Sequence, residues 1–171
     1  MADQDLRGIA TTAKIAGHPL HPMLIPFPIT LLTAASICDL TYWYSGDGFW
    51  AQVSFWSLGA ALVTGMIAAA AGFTDFFGNA RIRAISHAWH HMIGNIVVML
   101  LALANFWLRY DQGAEAGLLP WGLVLSLATT VVLLYTGWKG GELAYGHRIG
   151  MQPEAPSPAR MPRDIRSSDS S

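Results

Sequence analysis

Charge is scarce in this chain: charged residues make up 12% of its 171, against roughly 25% in an ordinary soluble domain. Cysteine is scarcer still. Cys38 stands alone inside an apolar run, which excludes a disulfide framework or a cysteine metal site within one chain. A net charge of −1, with no basic stripe interleaved with aromatics, argues against nucleic acid as a partner. The first 22 residues are polar and hold Asp3, Asp5, Arg7 and Lys14. They lack the basic start, short apolar core and small-residue cleavage site of a secretory signal, so the first apolar segment is expected to be a permanent anchor. There is no nucleophile set beside a base, no phosphate loop and no cysteine pair, which disfavours a hydrolase or a nucleotide enzyme.

What is abundant is apolar surface, 53% of the residues. A soluble domain of this length could not hide so much of it, whereas a membrane protein can leave it facing lipid. Four runs are long enough for the roughly 20 residues of helix that a bilayer requires. They cover about Met23 to Tyr44, Trp50 to Phe73, Trp89 to Leu108 and Leu118 to Trp138. Short turn-rich links, Ser45 to Phe49 and Asp111 to Gly117, make the first two and the last two helices antiparallel neighbours. The fold expected is all-α, an integral membrane four-helix bundle running up-down-up-down. It comprises an N-terminal segment over 1–22, a transmembrane domain over 23–150 and a disordered Pro- and Ser-rich tail over 151–171.

Basic residues near helix ends set orientation. Arg7, Lys14, Arg81, Arg83, Lys139 and Arg148 fall on one side, and only Arg109 falls on the other, beside Asp47, Asp111 and Glu115. This bias puts both termini in the cytoplasm, as expected for a multi-pass protein of a bacterial inner (plasma) membrane. Trp43, Tyr44, Trp50, Trp107, Tyr110 and Trp121 ring the opposite face, at the level where amphipathic rings favour lipid headgroups. In the second helix, Ala61, Gly65 and Ala69, and Ala68 with Gly72, place small residues four apart, a pattern for close helix packing.

With that topology, His18, His21, His87, His90, His91 and His147 all reach the cytoplasmic face, together with Asp75 and Glu142. In a helix of about 100° per residue, His90 and His91 flank His87 on one face. The same His-x-x-His-His box resembles one of three in membrane fatty-acid desaturases. Those enzymes need eight or more histidines, and this chain has six, so a desaturase is not supported. His18 and His21 each precede a proline, which predicts extended or polyproline backbone with rings roughly 9 Å apart. A haem would need two histidines facing across helices, with His21 or His18 opposite His87 or His91. A bare ion would use His87, His91 and Asp75 or Glu142. Imidazoles at an interface also cap helices or bond carbonyls, and that structural role competes for each of them. Asn95, one turn beyond His91, would orient an imidazole or join helices. Asp39, inside the first helix nearer its outer end, would take a hydrogen bond from Asn105 or a tyrosine, or take up protons.

Gly17 to Pro22 (GHPLHP), Gly72 to Asp75 (GFTD), His87 to His90 (HAWH) and Gly137 to Leu143 (GWKGGEL) occur in this order. Together they resemble the uncharacterised bacterial four-helix membrane family known as domain of unknown function 2231, over about residues 15–150. The resemblance implies the membrane fold and carries no activity. Relatives joined to a Rieske-type iron–sulfur domain would imply electron transfer, although this chain has no such cysteines. His18, His21, Asp75, His87, His90, Gly140, Gly141, Glu142 and His147 match the family pattern and are among the residues that the topology gathers at one face.

The functional expectation is therefore a histidine cluster holding haem b or a transition metal ion (Fe, Zn or Cu) in a redox or metal-handling role. Its partners would be the lipid bilayer and a redox protein or a second copy of the chain. A non-catalytic partner subunit is the alternative. A small transporter working through Asp39 and Asn95 is a further one, without the inverted halves or broken helices that such proteins favour.

Overall fold

A computed structural model describes residues 9–150. A two-stranded hairpin, β1 (Lys14–Ile15) with β2 (His18–Pro19), leads into a short helix α1 (Leu20–Leu24). Then follow α2 (Pro26–Ser45), α3 (Gly48–Gly78), the short α4 (Ala80–Arg83), α5 (Ser86–Gln112) and α6 (Leu123–Gly141). Helix α6 is flanked by π-helical turns at Leu118–Gly122 and Glu142–Gly146. Four helical segments are long and apolar enough to cross a membrane: Leu20–Ser45, Gly48–Gly78, Ser86–Gln112 and Leu118–Gly146.

Local chemistry sets the joints. Pro26 opens α2, where its missing N–H costs no helical bond. Gly46, at φ 68°, ends α2 in the left-handed conformation that other residues avoid. Asp47 then caps α3 by accepting from the Phe49 N–H at 3.0 Å. Asn79 does the same for α4, accepting from the Arg81 N–H at 3.0 Å.

Helix α2 packs mainly on α3 and α5 on α6, while α2 on α6 and α3 on α5 close the square. Helices α2 and α5 therefore face each other across a diagonal. The interior is built from small and medium side chains, Leu32, Ala35, Leu58, Ala61, Val98, Ala102 and Leu133. Gly65 lets α5 come close, since a Cβ there would stand 2.6 Å from Met99 Sδ. Large apolar groups point outward instead, among them Trp56, Val63, Met66, Leu100, Val131 and Leu134. This inside-out distribution suits lipid, where helices associate through close packing and polar contacts rather than through hydrophobic burial.

The two hairpins repeat one another. Buried Pro28, Leu32, Ala35 and Asp39 of α2 correspond to buried Val98, Ala102, Asn105 and Arg109 of α5, each seventy positions on. Buried Ser54, Leu58, Ala61, Gly65 and Ala68 of α3 correspond to Gly122, Ser126, Thr129, Leu133 and Thr136, each sixty-eight on. Both hairpins run in the same sense, so an approximate two-fold axis lies along the bundle. Parallel repeats of this kind differ from the inverted halves of many transporters.

The described ends meet at one end of the bundle. Ile9 bridges to Ile149, and its carbonyl accepts from the Gly150 N–H at 2.9 Å. Beneath them a second cluster joins Ile9, Phe76, Ile82, Ala88 and Leu143. Arg7 and the expected disordered tail over 151–171 lie outside the described residues.

Two expectations need correction here. Arg109 is not a surface charge at the far end. It is wholly buried against Asp39, which is itself wholly buried. Its charge is neutralised inside the bundle, so it does not count in the orientation bias. His21 is not in polyproline backbone either: it lies within α1, and only His18 keeps the extended conformation. A first-turn helix tolerates the proline that follows His21.

Candidate functional site

The structure divides the expected histidine cluster into separate arrangements. His18 is exposed, its Nδ1 3.0 Å from the Ala16 carbonyl, and His90 is exposed on the outside of α5. His21 and His91 turn inward from diagonal positions, their ring centroids 6.1 Å apart and their planes at 85°. His87 instead meets Glu142, with Nδ1 3.0 Å from Oε2, and His147, at 5.8 Å between centroids. Among the described residues, no three His, Cys, Asp or Glu side chains form a metal-ligand group. The bare-ion set of His87, His91 and Asp75 or Glu142 is thus not assembled. The reason is helical geometry: His87 and His91 are one turn apart, yet one faces the bundle axis and the other its flank.

Asp75 has a different partner altogether. Its Oδ1 accepts from the backbone N–H groups of Thr12 and Ala13 at 2.6 and 2.7 Å, which ties the N-terminal segment to α3. Charge-assisted bonds of this type contribute about 1.5–3 kcal/mol each. Asp75→Ala is therefore expected to raise amide hydrogen exchange at Thr12 and Ala13 at least tenfold while the four long helices stay protected. Unchanged exchange at both amides would show that the segment is held by other contacts.

The His21–His91 pair obeys the two-fold repeat. His21 Nδ1 lies 2.8 Å from the Ala68 carbonyl on α3, and His91 Nδ1 lies 2.8 Å from the Thr136 carbonyl on α6. Ala68 and Thr136 are equivalent positions of the two hairpins. A carbonyl only accepts, so each neutral ring must carry its proton on Nδ1 and its lone pair on Nε2. The same carbonyls fix the ring orientation. One turn further along, Gly72 and Gly140 make room. A Cβ at Gly72 would stand 2.9 Å from the His21 ring, and one at Gly140 would stand 2.8 Å from His91 Cε1. Asn95 Nδ2 lies 3.1 Å from His91 Nε2 and also donates to the His91 carbonyl at 2.9 Å. Thr136 Oγ1 adds a bond to that carbonyl at 3.0 Å.

At the other end of the bundle the repeat places Asp39 opposite Arg109. The pair is bidentate, Nη1 to Oδ1 at 2.8 Å and Nη2 to Oδ2 at 2.6 Å. Arg109 Nε donates to Asn105 Oδ1 at 2.8 Å and Nη1 to Ser54 Oγ at 2.9 Å, while Ser126 Oγ donates to Asp39. Asn105 in turn donates to Ser126 Oγ at 2.8 Å and to the Gly122 carbonyl at 3.0 Å. Asp39 thus takes its main bond from a guanidinium and not from Asn105 or a tyrosine. Sequence reasoning missed this pairing because Arg109 sits near a helix end, where an arginine ordinarily reaches water. The spacing offered a signal: Asp39 follows His21 by as many residues as Arg109 follows His91.

Fold and site define a multi-pass membrane protein of four apolar helices, with paired histidines at one end and a sealed ion pair toward the other. The chain belongs to the family described as predicted membrane protein (DUF2231), which matches residues 17–153, more than half of its length. No curated protein and no solved structure matches it.

Proposed function

We propose that this membrane protein holds a b-type haem between His21 and His91 and serves in electron transfer. The observation that carries the reading is the 6.1 Å separation of two imidazoles whose Nδ1 atoms are both engaged by carbonyls. With its Nδ1 held by a carbonyl, each ring would offer its Nε2 lone pair to an iron between them. Their equivalent placement supports it further, because each hairpin would contribute one imidazole to hold the group. When bound, the haem would supply one-electron chemistry. Ala68 and Thr136 would hold the ring orientations, Gly72 and Gly140 would keep the rings against their helices, and Asn95 would release His91 Nε2. His18 and His90, both exposed, take no part in this reading. Orientation with this end in the cytoplasm of a bacterial inner membrane, and a redox protein as partner, belong to the same proposal.

The test is the visible spectrum of protein made with haem supplied and purified in detergent, with bound metals measured alongside. A Soret band that shifts on reduction is expected. Stoichiometric metal without that band would replace haem with a bare ion. Neither would leave the non-catalytic partner subunit as the better reading.

A further inference from the structure

An open groove of about 660 Å³ lies on the flank of the bundle, lined by His87, Glu142 and His147 with Trp138 and Tyr145, over a floor of glycines. The floor separates these glycines from the rest. A Cβ added at Gly137, Gly141 or Gly146 would meet nothing within 4 Å, and none of the three has a positive φ. Neither internal packing nor backbone conformation calls for glycine there, although glycine in a helix costs about 1 kcal/mol relative to alanine. Their effect is to leave bare backbone facing outward, against which a flat group can lie. Trp138 and Tyr145, both largely exposed, stand at its sides.

The polar end of the groove has a definite character. His87 Nδ1 is buried and lies 3.0 Å from Glu142 Oε2, yet it has no partner in hydrogen-bond geometry. Glu142 also takes Lys139 Nζ at 2.9 Å and Trp138 Nε1 at 3.0 Å. Lys139 is therefore already held by a carboxylate that would itself repel an anionic headgroup. What remains suits a neutral ring bearing oxygen acceptors or hydroxyl donors. From the groove, exposed Trp138, Leu134, Val131 and Leu127 continue down one face of α6, a path for an apolar tail lying in lipid.

We propose that this groove binds the head group of a membrane quinone, with His87 donating to a ring carbonyl, Glu142 accepting from a hydroxyl of the reduced ring, and the tail lying along α6. The site stands apart from the His21–His91 pair, so the two readings can fail separately.

The experiment titrates decyl-ubiquinone into the purified full chain and reads quenching of tryptophan fluorescence. Saturable quenching is expected, reduced at least tenfold in affinity by Gly141→Leu, which fills open space, and by His87→Ala. Gly141→Leu should fold as well as the parent, because a Cβ there meets nothing within 4 Å; its thermal unfolding in detergent serves as the control. Trp138→Phe should remove most of the saturable component. Quenching that rises without saturation, or is equal in parent and Gly141→Leu, would overturn the proposal. So would a phospholipid retained by the parent, lost in Gly141→Leu and not displaced by the quinone. A Soret band in parent and Gly141→Leu alike reports on the haem reading independently.

Discussion

Arg109→Ala is expected to destabilise the bundle by about 3–5 kcal/mol, the range for removing one partner of a buried ion pair. Asp39 would be left charged and sealed from water, with Ser126 as its remaining donor. In detergent this should appear as a large drop in unfolding temperature or as failure to accumulate. Asp39→Ala should do the same, leaving a buried guanidinium. Two further variants separate the cost of an orphaned charge from a requirement for the pair. Asp39→Leu with Arg109→Met removes both charges and should recover most of the stability, since apolar replacements of buried pairs are often neutral. Exchange, Asp39→Arg with Arg109→Asp, should recover only part. The two positions are equivalent under the repeat, but Ser54, Asn105 and Ser126 correspond to Gly122, Ala35 and Leu58. The guanidinium would therefore move away from the side that holds its acceptors. If Arg109→Ala unfolds with the parent, the pair contributes nothing and the hairpins are held by packing alone.

His21→Ala and His91→Ala are each expected to lose essentially all bound haem, while His18→Ala and His90→Ala keep the parent spectrum. The contrast follows from placement, because all four residues lie in the same two short stretches of sequence and only two face the axis. Gly140→Leu should behave like His91→Ala, since even a Cβ there would collide with the ring. Asn95→Ala is the discriminating companion. It removes a contact to His91 Nε2 without removing the ligand, so haem should be retained. Equal loss in all four histidine variants would point to general misfolding; loss in His90→Ala alone would place the ligand on the wrong face of α5.

The fold was legible because its signal is coarse. Four runs such as Trp50 to Phe73 are too apolar for any soluble arrangement, and Gly46 and Asp47 announce the turn between the first two. The common level of His21, His91 and Glu142 was legible too, from hydropathy and helix ends. What the residues did not disclose was direction around each helix. His87 and His91 share a face by spacing, yet a bundle only 8–10 Å between axes turns 40° into the difference between core and flank. The repeat was hidden for a related reason. Equivalent positions keep burial rather than identity, so Asp39 answers to Arg109 and Gly65 to Leu133. The Asp75 contacts depended on the N-terminal segment folding back, which no local pattern specifies.

Low-temperature electron paramagnetic resonance of the ferric protein tests the haem proposal most directly, because it reports whether both imidazoles would hold the iron. A single low-spin signal, lost on replacing either His21 or His91, is expected if both imidazoles hold the iron. A high-spin signal in the parent, or none in protein produced with haem supplied, would contradict it.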